Sequence, residues 1–280
     1  MRLTVALAAS LFIFSAAAAD TLKIATWNIE HLRDGIGEGP NARQQADFER
    51  LALYAEILDA DVIAFQEIET LQAARKVFKP TSYQLFIENR TDALRTGFAV
   101  RHGISVIQNP DLVELNVTGG LRHGTDITIT VASQAIRLLS VHLRSGCWGK
   151  SLNSNTNACK KLKRQLPALE RWIDARAEAG IPFIVLGDFN RRFDVPGDEF
   201  WPEIDDGKPL NADLHRITEG RQQGCWGGVF THFIDHIVFD KTSRRWIRPF
   251  SFEEIVYEES ERLKKKLSDH CPVAVTLEIR

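Results

Sequence analysis

The sequence predicts an α/β protein built from two stacked mixed β-sheets with helices on the outside. Three observations carry this. Strand-like segments outnumber helical ones, and between Gly97 and His142 several follow one another directly. Helical segments are few: Arg43–Leu58, Leu71–Val77 and Lys160–Ala177. The runs Val62–Glu67 and Pro182–Leu186 are apolar enough for strands buried on both faces. A regular strand–helix alternation would not set so many strands side by side.

The chain starts with Met1-Arg2, then runs without a charge from Leu3 to Ala19 and ends in four alanines before Asp20. A basic start, an apolar stretch and an Ala-x-Ala exit are the marks of a secretory signal peptide, here residues 1–19, followed by one domain over 20–280. A membrane anchor is the alternative, but the stretch is short for a spanning helix. Leu22–Asn28 reads as the first strand, and Gly35–Pro40 as a Gly-rich loop. In Arg43–Leu58 the apolar residues Phe48, Leu51, Leu53, Tyr54, Ile57 and Leu58 recur at helical spacing. Val62–Glu67 is a strand, Leu71–Val77 a short helix and Tyr83–Ile87 another strand. Gly97–Val100, Ile104–Ile107, Asp126–Ala132 and Ile136–His142 follow as consecutive strands, the third alternating with Ile127, Ile129 and Val131 on one side. Lys160–Ala177 is an amphipathic helix with Leu162, Leu166, Leu169, Trp172 and Ile173 inward. Pro182–Leu186, Ile234–Phe239 and Val273–Ile279 complete the strands. No linker, internal repeat or low-complexity tract interrupts them.

The formal net charge is -2, and loss of Arg2 with the leader makes it one unit more negative. Overall charge therefore does not announce a nucleic-acid partner, and any basic surface has to be local. An even four cysteines in an exported chain read as two disulfides. Cys147 and Cys159 flank a polar loop and are the simplest local pair, which leaves Cys225 with Cys271. Closing so short a loop contributes about 3 kcal/mol in the chain-entropy model. Free thiols or a metal site are the alternatives; the lack of a Cys-x-x-Cys pair argues against structural zinc.

The chemistry sits at strand ends. Gly187-Asp188-Phe189-Asn190 places a carboxylate and an amide two residues apart where an apolar strand enters a loop. Side chains at that spacing point the same way and can serve one ligand or one reacting atom. Asn28, Glu67 and His142 end other strands, Asp235 and His236 lie near the start of a further one, and Asp269-His270 precedes the last. Oxygen ligands of this kind suit a hard divalent cation such as magnesium, and Glu67 is the natural carboxylate for it. Imidazole serves proton transfer near neutral pH, with a carboxylate on its far nitrogen to fix the tautomer. No serine occupies a nucleophile elbow, no Gly-rich phosphate loop occurs and no His-Glu-x-x-His motif is present. What remains is metal-assisted attack by water.

The ordered set Thr26-Trp27-Asn28, Gln66-Glu67, Ser140-Val141-His142-Leu143, Gly187-Asp188-Phe189-Asn190, Ile234-Asp235-His236-Ile237 and Ser268-Asp269-His270-Cys271-Pro272 resembles the endonuclease/exonuclease/phosphatase superfamily. Its members include deoxyribonuclease I, apurinic endonucleases, sphingomyelinases and inositol polyphosphate phosphatases. The resemblance spans nearly the whole mature chain and implies a four-layered α/β sandwich with the site at one edge of the sheets. It implies Asn28, Glu67 and Asp269 as the metal site, and Asp188 and Asn190 as the residues that position or activate water. It implies His270 as catalytic, with Asp235 orienting it, and His142 as the second catalytic histidine. Arg122 falls where members of the family hold a phosphate, whereas His236, opposite Asp235 along its strand, reads as structural. The family's functional tyrosine is missing near Arg95-Thr96-Gly97, so Arg95 or Thr96 is expected to meet the phosphate instead. The tryptophan that inositol phosphatases carry before Gly-Asp is also missing, which ranks that activity low.

Magnesium is the expected cofactor, with manganese or calcium as alternatives. A nucleic-acid substrate is favoured by Arg191 and Arg192, directly after Asn190, and by Arg144, Lys150 and the run Lys160–Arg164 near His142, for which the solvated face of a helix is the alternative reading. A lipid headgroup substrate, as in sphingomyelinase-type phospholipases, would use exposed aromatics such as Trp148 or Trp226 to meet a membrane. A binding module without chemistry is the third reading, opposed by the full set of acidic and histidine residues. The expected protein is a secreted or periplasmic monomer without a stable protein partner.

Overall fold

The computed structural model describes residues 20–209 and 212–279, so the expected leader over 1–19 lies outside the described residues. In chain order the elements are β1 (Asp20–Leu32), α1 (Gln45–Leu58), β2 (Val62–Ile68), α2 (Leu71–Val77), β3 (Tyr83–Ile87), β4 (Arg95–Arg101), β5 (Ser105–Gln108), β6 (Thr125–Val131) and β7 (Gln134–His142). They continue with α3 (Asn157–Glu178), β8 (Phe183–Asp188), α4 (Trp201–Ile204), β9 (His215–Arg216), β10 (Asp235–Phe239), β11 (Glu253–Glu254), α5 (Glu261–Lys264) and β12 (Val273–Ile279).

Two six-stranded sheets form, in the orders β11-β12-β1-β2-β4-β3 and β5-β6-β7-β8-β10-β9. Each has one parallel pair, β1 with β2 and β7 with β8. Each pair is joined by a long helix, α1 or α3, as parallel strands require a crossover. The helices cover the outer faces. Trp27, Phe65 and Ile63 pack with Phe48, Leu51 and Leu58 of α1. Val141, Val185 and Phe183 pack with Leu162, Leu169 and Trp172 of α3. Between the sheets lies a third core, in which Ile24, Val62, Ala64 and Val275 meet Leu138, Ile184, Leu186 and Ile237. The expected two stacked mixed sheets are present, in the four-layered arrangement that the resemblance implied.

Some boundaries differ for local reasons. Helix α1 starts at Gln45, after Gln44, whose backbone N–H donates to Asp47 at 2.8 Å in a capping box. Of the apolar residues at helical spacing, Leu53 and Ile57 are each 52% exposed. Helix α3 begins three residues before Lys160 because the Thr156 hydroxyl caps it, accepting from the Cys159 N–H. Both expected disulfides are formed, Cys147–Cys159 and Cys225–Cys271.

Topology gathers the strand ends. A parallel pair sends both C-terminal ends to one edge of its sheet, so β1, β2, β7 and β8 deliver Asn28, Gln66-Glu67, His142 and Asp188 together. Strand β10 runs antiparallel to β8 and starts at that edge, with Asp235 opposite Asp188. Strand β12 runs antiparallel to β1, so the turn before it brings Asp269 and His270 to the same place.

Candidate active site

Alternation along each strand decides which side chains face the inter-sheet space. On β1 the inner positions are Leu22, Ile24, Thr26 and Asn28; on β7 they are Ile136, Leu138, Ser140 and His142. Apolar residues thus give way to polar ones as the strands approach the edge. A buried chain of hydrogen bonds links the sheets there: Thr26 Oγ1 donates to Gln66 Oε1 (3.3 Å) and Gln66 Nε2 to Ser140 Oγ (3.2 Å). Each group is satisfied, which makes this a rigid floor beneath the site.

Glu67 is the exception to alternation. Regular pleating would turn it toward the helices, but the register shifts at this end of β2 and Glu67 takes φ +62°. Such a bulge re-aims a side chain at the cost of local strain. The Glu67 carboxylate then accepts from Asn28 Nδ2 (3.3 Å) and from the His31 N–H (3.1 Å). Gly187 is required next door, since a Cβ there would stand 2.0 Å from the Val141 carbonyl oxygen.

Asp188 is the centre of the cluster. Its Oδ1 accepts from the Asn190 N–H (2.7 Å), and Oδ2 accepts from Asn190 Nδ2 (2.8 Å) and Asn28 Nδ2 (3.1 Å). His142 Nε2 lies 3.4 Å from Asp188 Oδ2, and His270 Nε2 lies 3.9 Å from it. Burial raises the Asp188 carboxyl to about 7, with the His270 imidazole pulling it down and Asp235 pushing it up. His270 donates from Nδ1 to Asp235 Oδ2 at 2.6 Å. Burial alone would lower its pKa, but Asp235, and then Asp188 and Asp269, hold it well above the usual histidine range. His142 goes the other way: burial, then the Arg122 and His270 charges, press it well below that range. The two imidazoles are thus pushed in opposite directions by their surroundings.

Glu67, His142, Asp188, Asn190 and His270 line a cleft of about 430 Å³ together with Asp269, Arg122, Arg144, Arg192, Trp148 and a loop carrying Phe230 and His232. Arg122 is buried rather than an exposed loop charge. Its Nε and Nη2 donate to the carbonyls of His142 and Leu143, and burial lowers its pKa to about 10. Asn28, Glu67, Asp269, His142, Asp188, Asn190 and His270 thus meet in one place, with Asp235 behind His270. His236 faces the other way, bonded to Thr218 and to the Arg191 carbonyl.

Two sequence expectations are corrected. Arg191, expected to bind substrate, is 1% exposed: Nε pairs with Asp198 (2.5 Å) and Nη1 donates to the carbonyls of Cys147 and Lys150. Arg95 is spent on the Glu69 and Arg90 carbonyls, and Thr96 is fully buried against Thr125 and the His123 carbonyl, so neither is free for a phosphate. Of the two readings open for Lys160–Arg164, the structure takes the solvated one: Lys160, Lys163 and Arg164 are exposed on α3 and do not line the cleft.

Other contributors escaped sequence reading. Arg43 donates to the carbonyls of Ile29, Glu30, His31, Lys266 and Leu267, tying the end of β1 to the turn that carries His270. The Glu30 carboxylate accepts from the Asp269 N–H at 2.9 Å. His31, three residues beyond Asn28, was the nearest available signal; Phe230 and His232 lie on an irregular loop with none.

A fold of two sheets whose joined edge carries this carboxylate–imidazole cluster defines a class, and comparison agrees. The model of the Endonuclease/Exonuclease/phosphatase family matches residues 25–270, and the chain belongs to that family. The family is one of phosphoester hydrolases that use divalent metals, and the acidic and histidine cluster is present here. Among solved structures, a humanized TDP2 of D. rerio is 21% identical, with TM-score 0.66, over 92% of this chain and 99% of that one. A D. rerio TDP2 complexed with single strand DNA product is 22% identical, with TM-score 0.65, over 91% and 98%. The catalytic domain of human nocturnin is 14% identical, with TM-score 0.59, over 93% and 94%. No curated protein sequence matches the chain.

Proposed function

We propose that this chain is an exported, divalent-metal-dependent phosphodiesterase acting on nucleic acid, either DNA or RNA. One observation carries the reading: the buried carboxylate–imidazole cluster shares its cleft with three arginines, Arg122, Arg144 and Arg192. A phosphodiester needs both sides, cations for its charge and acid–base groups for its ester bonds. D. rerio TDP2, which shares the fold, has been solved complexed with single strand DNA product.

The donor set fits a hard cation. Glu67 and Asp269 offer carboxylate oxygens at one side of the cleft, with Asn28 Nδ2 bonded to Glu67 behind them and no free thiol among the described residues to favour a softer ion. Magnesium is the first choice, manganese or calcium the alternatives. When bound, the ion polarises the phosphoryl group. Asp188, held by Asn190, orients the water and receives its proton. His270, braced by Asp235, which favours its charged form, stabilises charge on the phosphoryl oxygens. His142, whose Nε2 also lies by Asp188 Oδ2, is available for proton transfer.

Residues 1–19 act as a leader and 20–280 as the catalytic domain of a secreted or periplasmic monomer. Both disulfides support an oxidising compartment, and no helix of the described residues is long and apolar enough to cross a membrane. The lipid reading has one observation in its favour: Val229 and Phe230 are 74% and 52% exposed, and Phe230 lines the cleft. The deciding test is a product-release assay of the mature protein on DNA, RNA and sphingomyelin vesicles, with and without chelator. Cutting of polynucleotide that chelator stops is expected. Sphingomyelin hydrolysis without nuclease activity would replace this reading with the lipid one.

A further inference from the structure

The loop closed by Cys147–Cys159 carries Trp148, which is 43% exposed yet makes a directed polar contact. Its indole Nε1–H donates to Asn190 Oδ1 at 3.2 Å. The other end of that amide, Nδ2, donates to Asp188 Oδ2 (2.8 Å) and to the Leu143 carbonyl (3.2 Å). We infer that Trp148 is a positioning residue: its indole N–H fixes the amide of Asn190, and through it the carboxylate of Asp188, with the disulfide loop as its mount.

The donor inventory makes the contact selective. Rotating the amide half a turn would face its NH₂ toward the indole N–H, donor against donor. It would also face its oxygen toward a carboxylate and a carbonyl, acceptor against acceptors. Only one orientation satisfies all three partners, and Asn190 is buried, so an unmade bond is not replaced by bulk water. Asn190 also holds φ +52°, a conformation that asparagine tolerates.

The mount is built from both sides. The disulfide ties Cys147 to the first turn of α3. From beneath, buried Arg191 donates to the carbonyls of Cys147 (2.8 Å) and Lys150 (2.6 Å). The Arg192 N–H donates to the Trp148 carbonyl at 2.8 Å, and its guanidinium lies 6.0 Å from the indole centroid. The segment that follows Asn190 therefore grips the loop whose tryptophan grips Asn190. This gives the exposed tryptophan and the buried arginine one purpose, to close a small ring of interactions around the catalytic turn.

The inference rests on the phosphodiesterase reading only for its kinetic arm. Trp148→Phe keeps the ring and removes the N–H. It is expected to lower kcat about tenfold, the scale of one missing directing hydrogen bond, with KM unchanged. A small chromogenic phosphodiester and DNA should show the same loss. In an Asn190→Ala background the same substitution should cost nothing further. The Cys147→Ser/Cys159→Ser variant should repeat the kcat loss. Independently of activity, ¹⁵N–¹H spectra contain six indole resonances. The one absent from Trp148→Phe should shift in Asn190→Ala and in the double serine variant, while melting curves verify that each variant is folded. An indole resonance indifferent to Asn190→Ala overturns the inference, as does an unchanged kcat in Trp148→Phe. A rise in KM confined to DNA would instead make Trp148 a stacking surface for bases. If the protein hydrolyses no phosphodiester, the functional reading fails and the indole shift still decides this one.

Discussion

Glu67 depends on a break in pleating. Its left-handed φ turns a side chain that regular alternation would send to the helices into the cleft beside Asn28 and His31. Replacing it with alanine removes a carboxylate at a partly exposed strand end and leaves the core untouched. Glu67→Ala is expected to lose at least about a hundredfold in turnover, to lose affinity for divalent cation by calorimetry and to melt within a few degrees of wild type. The His270–Asp235 pair gives a pH prediction. Asp235 raises the folded pKa of His270 above the unfolded value near 6.5. The stability this contributes is complete below that unfolded value and is lost as pH rises through the folded one. Asp235→Asn should therefore move the alkaline limb of kcat/KM to lower pH and cut turnover about as much as His270→Ala, with the double variant no worse than either. Multiplicative losses in the double variant would mean that the two residues act separately. These positions were legible because polar residues at the ends of apolar strands stand out in one dimension. Arg191 was misread for the complementary reason: adjacency to Asn190 is visible in sequence, whereas its pairing with Asp198 is not. The indole bond of Trp148 was equally hidden, because nothing in the spacing of residues 148 and 190 links them.

Among the elements, the long strands and helices were legible because their periodicity repeats over many residues. The two-residue strands β9 and β11 carry no pattern at that length; sheet edges recruited them. Helix ends moved by a few residues wherever a cap overruled the apolar pattern, as at Thr156. The parallel pairs matter most for function, since they explain why both sheets contribute to one edge. Packing of β8 against β7 is tight enough to be tested. Gly187→Ala places a methyl 2.0 Å from the Val141 carbonyl oxygen at φ +148°, and backbone cannot give way as a flexible side chain would. The substitution is expected to cost about 3 kcal/mol in stability, at the upper end for overpacking. Turnover should fall in the folded fraction, because Asp188 is the next residue. Urea denaturation of the two proteins measures the first effect. A variant as stable as wild type would mean that β7 and β8 can separate more easily than their register suggests.

At the scale of the whole molecule, charge is nearly balanced, and the arginines that meet the cleft are Arg122, Arg144 and Arg192. Arg144 and Arg192 are partly exposed there, on segments that follow His142 and Asn190, while Arg191 is locked beneath the disulfide loop. Neighbouring arginines in the sequence should therefore behave oppositely. Arg191→Ala leaves Asp198 buried without its partner and should cost about 3 kcal/mol in stability, with little change in KM for the protein that remains folded. Arg144→Ala/Arg192→Ala should melt as wild type does, yet raise KM for a polynucleotide more than for a small phosphodiester, because only the longer substrate has flanking phosphates to hold. Counterion release adds a second signature. Wild-type kcat/KM on DNA should fall steeply with added salt, and the double variant should show a shallower slope, by about one unit for each phosphate no longer held. Equal salt slopes in the two proteins would remove Arg144 and Arg192 from the substrate path and leave Arg122 as the sole basic residue meeting the phosphate.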